Sequence, residues 1–508
     1  MSGFSTRWRV GATMAFMVAV ASCRTTASSQ IAASQVASTR TALAWRRPVR
    51  GAPVTDEERR EATRIYIDLL DKTRYYAVMN ERIHGWPASD PRYPWWGIWW
   101  TGVQIEKSAG AIAFKHHKIG SDNAASDTAM MLENACYAHL LWKLPAATEA
   151  LHKLMRGMSA QIKAMRSASR PKDPVLLGRS FYPVSVVSHD DGRTIPFKYD
   201  DARPGTDNGA TEYVHIPDNP VWGDIYVKNK RSKDDMGHVL RALAQVDASC
   251  GQSGSLDDAT LQDWNETLSL YQLWATQVYN DDWRIATRSK SLAVIYPLDT
   301  LANFYSIAEC DAMFSISMFG RGDGGGKDCG EGVGGIVDWA ASFNDQNIGI
   351  LESFHQAAVM AALKFHRNDL ALPLMQGLVT RMEKHLDAVR QGKASANYPA
   401  TKLAGLLLRN AVMGVPLNFG EARWLETQIK IAHDSFLKPR KDHYYDIEKA
   451  VLPDGLYPYN PTGAGLDWRD IGALVGLCVS PYVNHTGVSV LDCDMLRQHQ
   501  MSGGTDAG

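Results

Sequence analysis

The chain predicts an all-α fold, an (α/α) toroid of helical hairpins carrying one long irregular insert, and three observations lead there. Helices that are apolar nearly all round alternate with helices bearing a single apolar stripe, the pattern that two layers of helices require. Acidic or amide clusters recur before the apolar members, at Asp122-Asn123, Asp234-Asp235 and Asn344-Asp345, spaced by 112 and then 111 positions. That spacing accommodates two hairpins of about 56 residues per step. The third observation is a Pro-, Gly- and Asp-rich interruption over 170–232. A ring buries one layer of helices inside another, so the toroid is preferred to the alternative, an open α-solenoid.

Taken in order, residues 24–55 are rich in Ser, Thr and Ala and pass through Trp45-Arg46-Arg47-Pro48 without a sustained period, as expected of a flexible tether. Asp56-Glu57-Glu58 suits a helix N-terminus, and Ala62, Ile65, Leu69, Tyr76 and Ile83 supply its apolar face. Tyr93 to Trp100 then sets Trp95, Trp96, Trp99 and Trp100 in a loop between helices. Residues 126–142 are apolar all round, whereas 146–167 carry one stripe through Leu151, Leu154, Met155, Met158, Ile162 and Met165. The contrast returns in Ile348 to Phe365 followed by the stripe from Met375 to Leu386, and in Leu403 to Met413 followed by Trp424, Ile431 and Phe436. Asp234 to Val246 with the stripe from Leu261 to Val278 is a further pair. Within the insert, Phe181 to Val187, Glu212 to Ile216 and Asp224 to Lys228 read as short strands. Tyr444 to Asn484 is again irregular. The resulting organisation is 1–22 leader, 23–55 tether, 56–500 helical domain with the insert at 170–232, and 501–508 a disordered tail.

With 54 basic against 55 acidic side chains, the formal charge of -1 offers no general attraction to phosphate backbones, so nucleic acid is excluded as a partner. Past the leader no apolar run reaches the roughly 20 residues of a spanning helix. Seven cysteines are present. Setting Cys23 aside, short loops favour Cys310 with Cys329 and Cys478 with Cys493, leaving Cys136 with Cys250, one of several connectivities open to six cysteines. No C-x-x-C occurs, so a cysteine metal site is not expected. H-E-x-x-H, G-x-S-x-G and G-x-x-x-x-G-K-[ST] are all missing; Gly326-Lys327 is followed by Asp328, which breaks the phosphate-loop pattern. Asp323, Asp328 and Glu331 lack any recognised calcium spacing, and that glycine-rich stretch reads better as a loop pinned by Cys329. No metal and no cofactor are expected.

The N-terminus combines Arg7 and Arg9, an apolar stretch from Val10 to Ala21 and the small residues Val20-Ala21-Ser22 before Cys23. It resembles a bacterial lipoprotein signal. The resemblance implies export, cleavage before Cys23 and lipidation of that cysteine, with the membrane contacted only through the anchor. Arg24 stands where bacterial lipoproteins retained in the inner membrane carry Asp. The expected location is therefore the outer membrane or cell envelope, facing the periplasm or the surface.

If the inner helices of a ring run alike, their N-termini gather at one mouth. Asp122, Asp127, Asp234, Asp235 and Asp345 would then surround a single cleft, the arrangement that acid–base chemistry on a glycan needs, although capping a helix is the commoner role for each of them. Lys233-Asp234-Asp235-Met236-Gly237-His238 is the strongest local candidate: adjacent carboxylates raise one another's pKa, and His238 is a proton carrier. Glu352 and His355 fall on one face of the following inner helix. The tryptophans at 95, 96, 99 and 100, with Trp222, offer flat rings to stack on sugars and N–H donors beside them. Tyr226, Tyr457, Tyr459 and Trp468 add aromatics in the irregular segments. In architecture alone the chain resembles (α/α)-toroid glycan-active enzymes, which implies a polysaccharide or oligosaccharide partner. The expected activity is glycoside hydrolysis, with catalytic Asp234, Asp235, Asp345 and Asp122 and with His238, His355 and the tryptophans binding substrate. Polysaccharide elimination and a non-catalytic glycan- or protein-binding scaffold are the alternatives.

Overall fold

The computed structural model describes residues 53–72, 103–116, 124–187, 194–198, 213–229, 233–281, 285–296, 348–364, 366, 368–390, 399–437, 454–458, 472–483 and 490–499. All belong to the compact unit of residues 51–508. Most of these residues are helical, with small sheets that are antiparallel except for one strand pair.

Helix α1 (Asp56–Lys72) starts at the acidic run, and its first turn is closed by a reciprocal capping box. The Thr55 N–H donates to Glu58 Oε2 (2.8 Å), while the Glu58 N–H donates to Thr55 Oγ1 (3.2 Å). Strands β1 (Val103–Ser108) and β2 (Ala111–His116) form a hairpin that the sequence reading did not anticipate. Its two-residue turn places Ala109 at φ 49° and Gly110 at φ 78°, the paired positive values that match the twist of the flanking strands.

Helix α2 (Ala124–Trp142) is buried along its length from Ala125 to His139, as its all-round apolarity requires. Helix α3 (Pro145–Lys163) was expected to show one wet face, yet little of it beyond Glu149, His152 and Arg156 reaches solvent. Two partners cover it. One is α5 (Asp258–Asn280), which packs along it. The other is the insert: strands β3 (Ser180–Pro183), β6 (Tyr213–Asn219) and β7 (Gly223–Lys228) form a sheet in the order β3-β7-β6. Gly178 lets this sheet approach closely; a Cβ there would stand 2.6 Å from Val227 and 3.2 Å from Met165. Asn219 locks the contact, its amide donating to the carbonyls of Lys163, Ala164 and Arg166 at 3.0–3.1 Å and its Oδ1 accepting from the N–H groups of Val221 and Trp222. The insert thereby satisfies the carbonyls left open at the end of α3.

The remaining insert strands, β4 (Ser185–Val187) and β5 (Thr194–Lys198), join the β1–β2 hairpin and β10 (Gly455–Pro458) in a second sheet of order β10-β1-β2-β5-β4. Strands β8 (Thr287–Arg288) and β9 (Val294–Ile295) make a separate ribbon.

Helices α4 (Lys233–Val246), α6 (Ile348–Lys364) and α8 (Pro399–Met413) are the other apolar members. Among them α2 packs on α4, α4 on α6 and α6 on α8, while α7 (Asn368–Arg390) packs on α6 and α8, and α9 (Phe419–Leu437) packs on α1. The apolar helices α2, α4 and α6 run parallel. His238 meets Ser353 near the starts of α4 and α6, and Asp247 meets Lys364 at their ends; Glu133 meets Arg241 and Cys136 meets Cys250 in the same order along α2 and α4. Beyond α4 the chain makes a π-helical turn over Asp247–Gly251.

Two disulfides are formed as expected: Cys136–Cys250 and Cys478–Cys493, with Cα separations of 5.8 and 5.5 Å. The second joins the short helices α10 (Gly476–Val479) and α11 (Cys493–Gln498). Cys310 and Cys329 lie outside the described residues, as do residues 1–52 with Cys23.

Candidate functional site

The parallel run of α2, α4 and α6 decides which residues share an end of the helical layer. Asp234 and Asp235 occupy the first turn of α4, Asp122 stands two residues before α2, and Asp345 stands three before α6. Backbone direction thus places Asp234 and Asp235 at the end of the layer where α2 and α6 also begin. Asp122 and Asp345 themselves lie outside the described residues, and so do Trp95, Trp96, Trp99 and Trp100. The second sheet adds a topological link: β1 begins three residues after Trp100, and in its register Ile105 pairs with Tyr457 of β10. The ladder joins strands about 350 residues apart in sequence.

Within the layer the polar side chains form buried clusters. Arg241 is fully buried; its Nη2 donates to Glu133 Oε2 (2.9 Å) and its Nη1 to Thr401 Oγ1 (3.2 Å), so one guanidinium joins α2, α4 and α8. Tyr137 donates to Glu133 Oε1 (3.2 Å), and burial together with the Glu133 charge drives its phenol well above the ordinary range. Glu352, also fully buried, accepts from Lys402 Nζ through Oε1, with His385 Nδ1 3.3 Å from the same oxygen. Burial pulls the Lys402 ammonium below its usual pKa, against the pull of the Glu352 carboxylate. Glu352 Oε2 and Gln356 Oε1 accept no hydrogen bond among the described residues. The carboxylate, the ammonium and the imidazole are all sealed from solvent.

His238 is 6% exposed and shares a hydrogen bond with Ser353 (3.0 Å between Nδ1 and Oγ), so it joins α4 to α6. His355 lies in α6, three positions after Glu352. Trp222 is 5% exposed, with its ring centroid 4.2 Å from that of Phe181 inside the insert; the apolar ring is spent on the insert's own packing. No comparison identifies a relative. Neither a family model, nor a curated protein, nor a solved structure matches this chain.

At the opposite end of α4 and α6 lies a cavity of about 220 Å³. Leu243, Leu268, Met360 and Leu363 supply apolar wall, and Asp247 and Tyr482 polar edge. Asp247 Oδ2 accepts from Lys364 Nζ (2.6 Å) and Gln252 Nε2 (3.4 Å). Burial raises the Tyr482 phenol, and the Asp247 charge adds to the shift. Among the described residues no three His, Cys, Asp or Glu side chains converge as metal ligands, and no helix is long and apolar enough to cross a membrane.

Sequence reasoning did not single out Glu133, Arg241, His385 or Lys402. The signal was present: Glu133, Arg241 and Lys402 each interrupt an otherwise apolar helix, and a charge on a helix without a wet face must find a partner inside.

Proposed function

We propose that the protein is an exported, lipid-anchored envelope enzyme whose helical domain is an (α/α) toroid cleaving a polysaccharide by hydrolysis. The observation that carries this reading is the parallel course of α2, α4 and α6. Parallel inner helices send Asp234, Asp235 and the chain just after Asp122 and Asp345 to one end, where an acid and a base can flank a glycosidic bond. The sheet that ties β1 to β10 supports the reading, because β1 follows Trp100 by three residues in the chain and pairs with the strand that holds Tyr457. The leader and Cys23 supply export and the anchor, and the balance of 54 basic and 55 acidic side chains suits a partner that needs no strong field.

A digestion screen of glycans with the chain from about residue 50 onward, free of leader and tether, tests the activity. Asp234→Asn and Asp235→Asn are then expected to lower turnover about 100- to 10,000-fold with the fold intact. Loss of stability by about 1 kcal/mol with full activity would instead make these carboxylates caps. Cys23→Ser is expected to release the protein from membranes or block processing, as seen by fractionation.

One observation favours the scaffold reading: Glu133 and Glu352, the fully interior carboxylates of α2 and α6, are both held in ion pairs. Retention of a glycan on the immobilised chain without any product in the screen would select it.

A further inference from the structure

The cavity at the C-terminal ends of α4 and α6 lies far from the acidic helix starts; Asp235 and Asp247 are twelve residues apart, about 18 Å along a helix. Three features mark it as a built site. Its floor is apolar, formed by Leu243, Leu268, Met360 and Leu363. Its rim is the π-helical turn, which contributes Asp247 and Ala248; such turns insert a residue and re-aim the side chains that follow. Both flanks are fastened covalently: Cys136–Cys250 holds the π turn to α2, and Cys478–Cys493 holds the segment that leads directly into Pro481 and Tyr482. Walls that cannot collapse keep a cavity open and reduce the ordering a ligand must impose.

Size and charge define what fits. An apolar cavity of about 150 Å³ is enough to hold benzene, and this one is about 220 Å³. Its full charges cancel, because Asp247 is paired with Lys364. A cationic ligand would compete with Lys364, and an anionic one with Asp247. Asp247 Oδ1, by contrast, takes no part in the hydrogen bonds from Lys364 and Gln252, which both go to Oδ2. A neutral hydroxyl at the Asp247 and Tyr482 edge of the cavity can hydrogen-bond there without adding a charge to the ion pair. We propose that this cavity is a binding site for a small neutral molecule with an apolar body of about six to eight carbons and a hydroxyl donor, an alcohol or phenol. The site is independent of any chemistry at the other end of the helices.

Calorimetric titration of the purified full chain with phenol, benzylammonium and benzoate tests this. Phenol is expected to saturate one site and to bind more tightly than either charged analogue. Asp247→Asn is expected to weaken phenol about tenfold, the loss of a hydrogen bond to a charged acceptor. Ala248→Leu and Ala244→Leu, filling the cavity from the π turn and from α4, are each expected to weaken it tenfold or more; two filling variants are used so that misfolding of one, seen by circular dichroism, leaves the other informative. Absence of saturable phenol binding overturns the proposal. So does phenol affinity unchanged in the folded variants, or tighter binding of benzylammonium or benzoate.

Discussion

Arg241 shows how much a single side chain holds in this protein. Its guanidinium reaches Glu133 on α2 and Thr401 on α8 from the middle of α4, and neither Arg241 nor Glu133 has appreciable contact with water. Removing one partner of such a pair strands the other's charge in a low-dielectric interior, which costs about 3–5 kcal/mol, whereas replacing both by apolar groups of similar volume is often neutral. Arg241→Met is therefore expected to lower unfolding free energy by about that amount, and Glu133→Leu with Arg241→Met to recover most of it. Denaturant titration of the single and double variants measures the difference; equal losses in both would mean that packing, and not stranded charge, sets the cost. The same logic explains why the interior charges escaped notice. Glu133 and Arg241 are 108 residues apart in the chain, and no local pattern pairs them. Asp234 and Asp235, found by local pattern, are placed by the backbone where the pattern put them, in the first turn of α4.

At the scale of elements, α1 is attached by charge as well as by packing. Glu58, inside the capping box, also takes Arg423 of α9 in a two-pronged contact (2.8 and 2.9 Å), and the Arg423 and Thr55 hydrogen bonds hold its carboxyl down to about 2 from an ordinary 4.5. A carboxyl depressed in the folded state favours folding fully above its unfolded pKa and loses that contribution as pH falls through its folded value. Loosening of α1 from α9 is thus expected between about pH 4.5 and 2. Amide exchange in α1 followed across that range should show it, and Glu58→Gln should already be loosened at neutral pH with that acid step removed. Helix boundaries and the four apolar helices were legible, because a helix buried on all sides must be apolar on all sides. The β1–β2 hairpin was not, although Ala109-Gly110 between alternating residues was a turn signal. Its strands are stabilised by β5 and β10, and the pairing with β10 spans about 350 positions. Nor was the burial of α3 legible: its stripe describes the face toward α2 but says nothing of α5, which packs along it, or of the insert, which closes its C-terminal end.

Over the whole molecule, one disulfide fastens distant parts of the chain and the other closes a short local loop. Cys136–Cys250 closes a loop with a sequence separation of 114, and in the chain-entropy model a loop of that size is worth about 4–5 kcal/mol. Cys136→Ser with Cys250→Ser is expected to lower thermal stability accordingly and to loosen the π turn. Cys478–Cys493, with a separation of 15, is worth about 3 kcal/mol on the same basis, and the corresponding serine pair should cost less. Melting curves of the two double variants give the order, and a larger loss for the shorter loop would contradict the entropic account.

By itself the sequence determined the helical class, the alternation of enclosed and striped helices, the insert strands β6 and β7 and two cysteine pairings that the structure contains. Each follows from a local quantity: the period of apolar residues, the density of turn formers, the length of a closed loop. The tertiary structure alone decided that α2, α4 and α6 run parallel, that the insert divides between two sheets and closes the C-terminal end of α3, and that charged residues on separate helices meet inside the layer. Those outcomes depend on which surfaces come into contact across a hundred or more residues, and on the cost of leaving a buried charge or carbonyl unpaired. Neither quantity is written in any short stretch of chain.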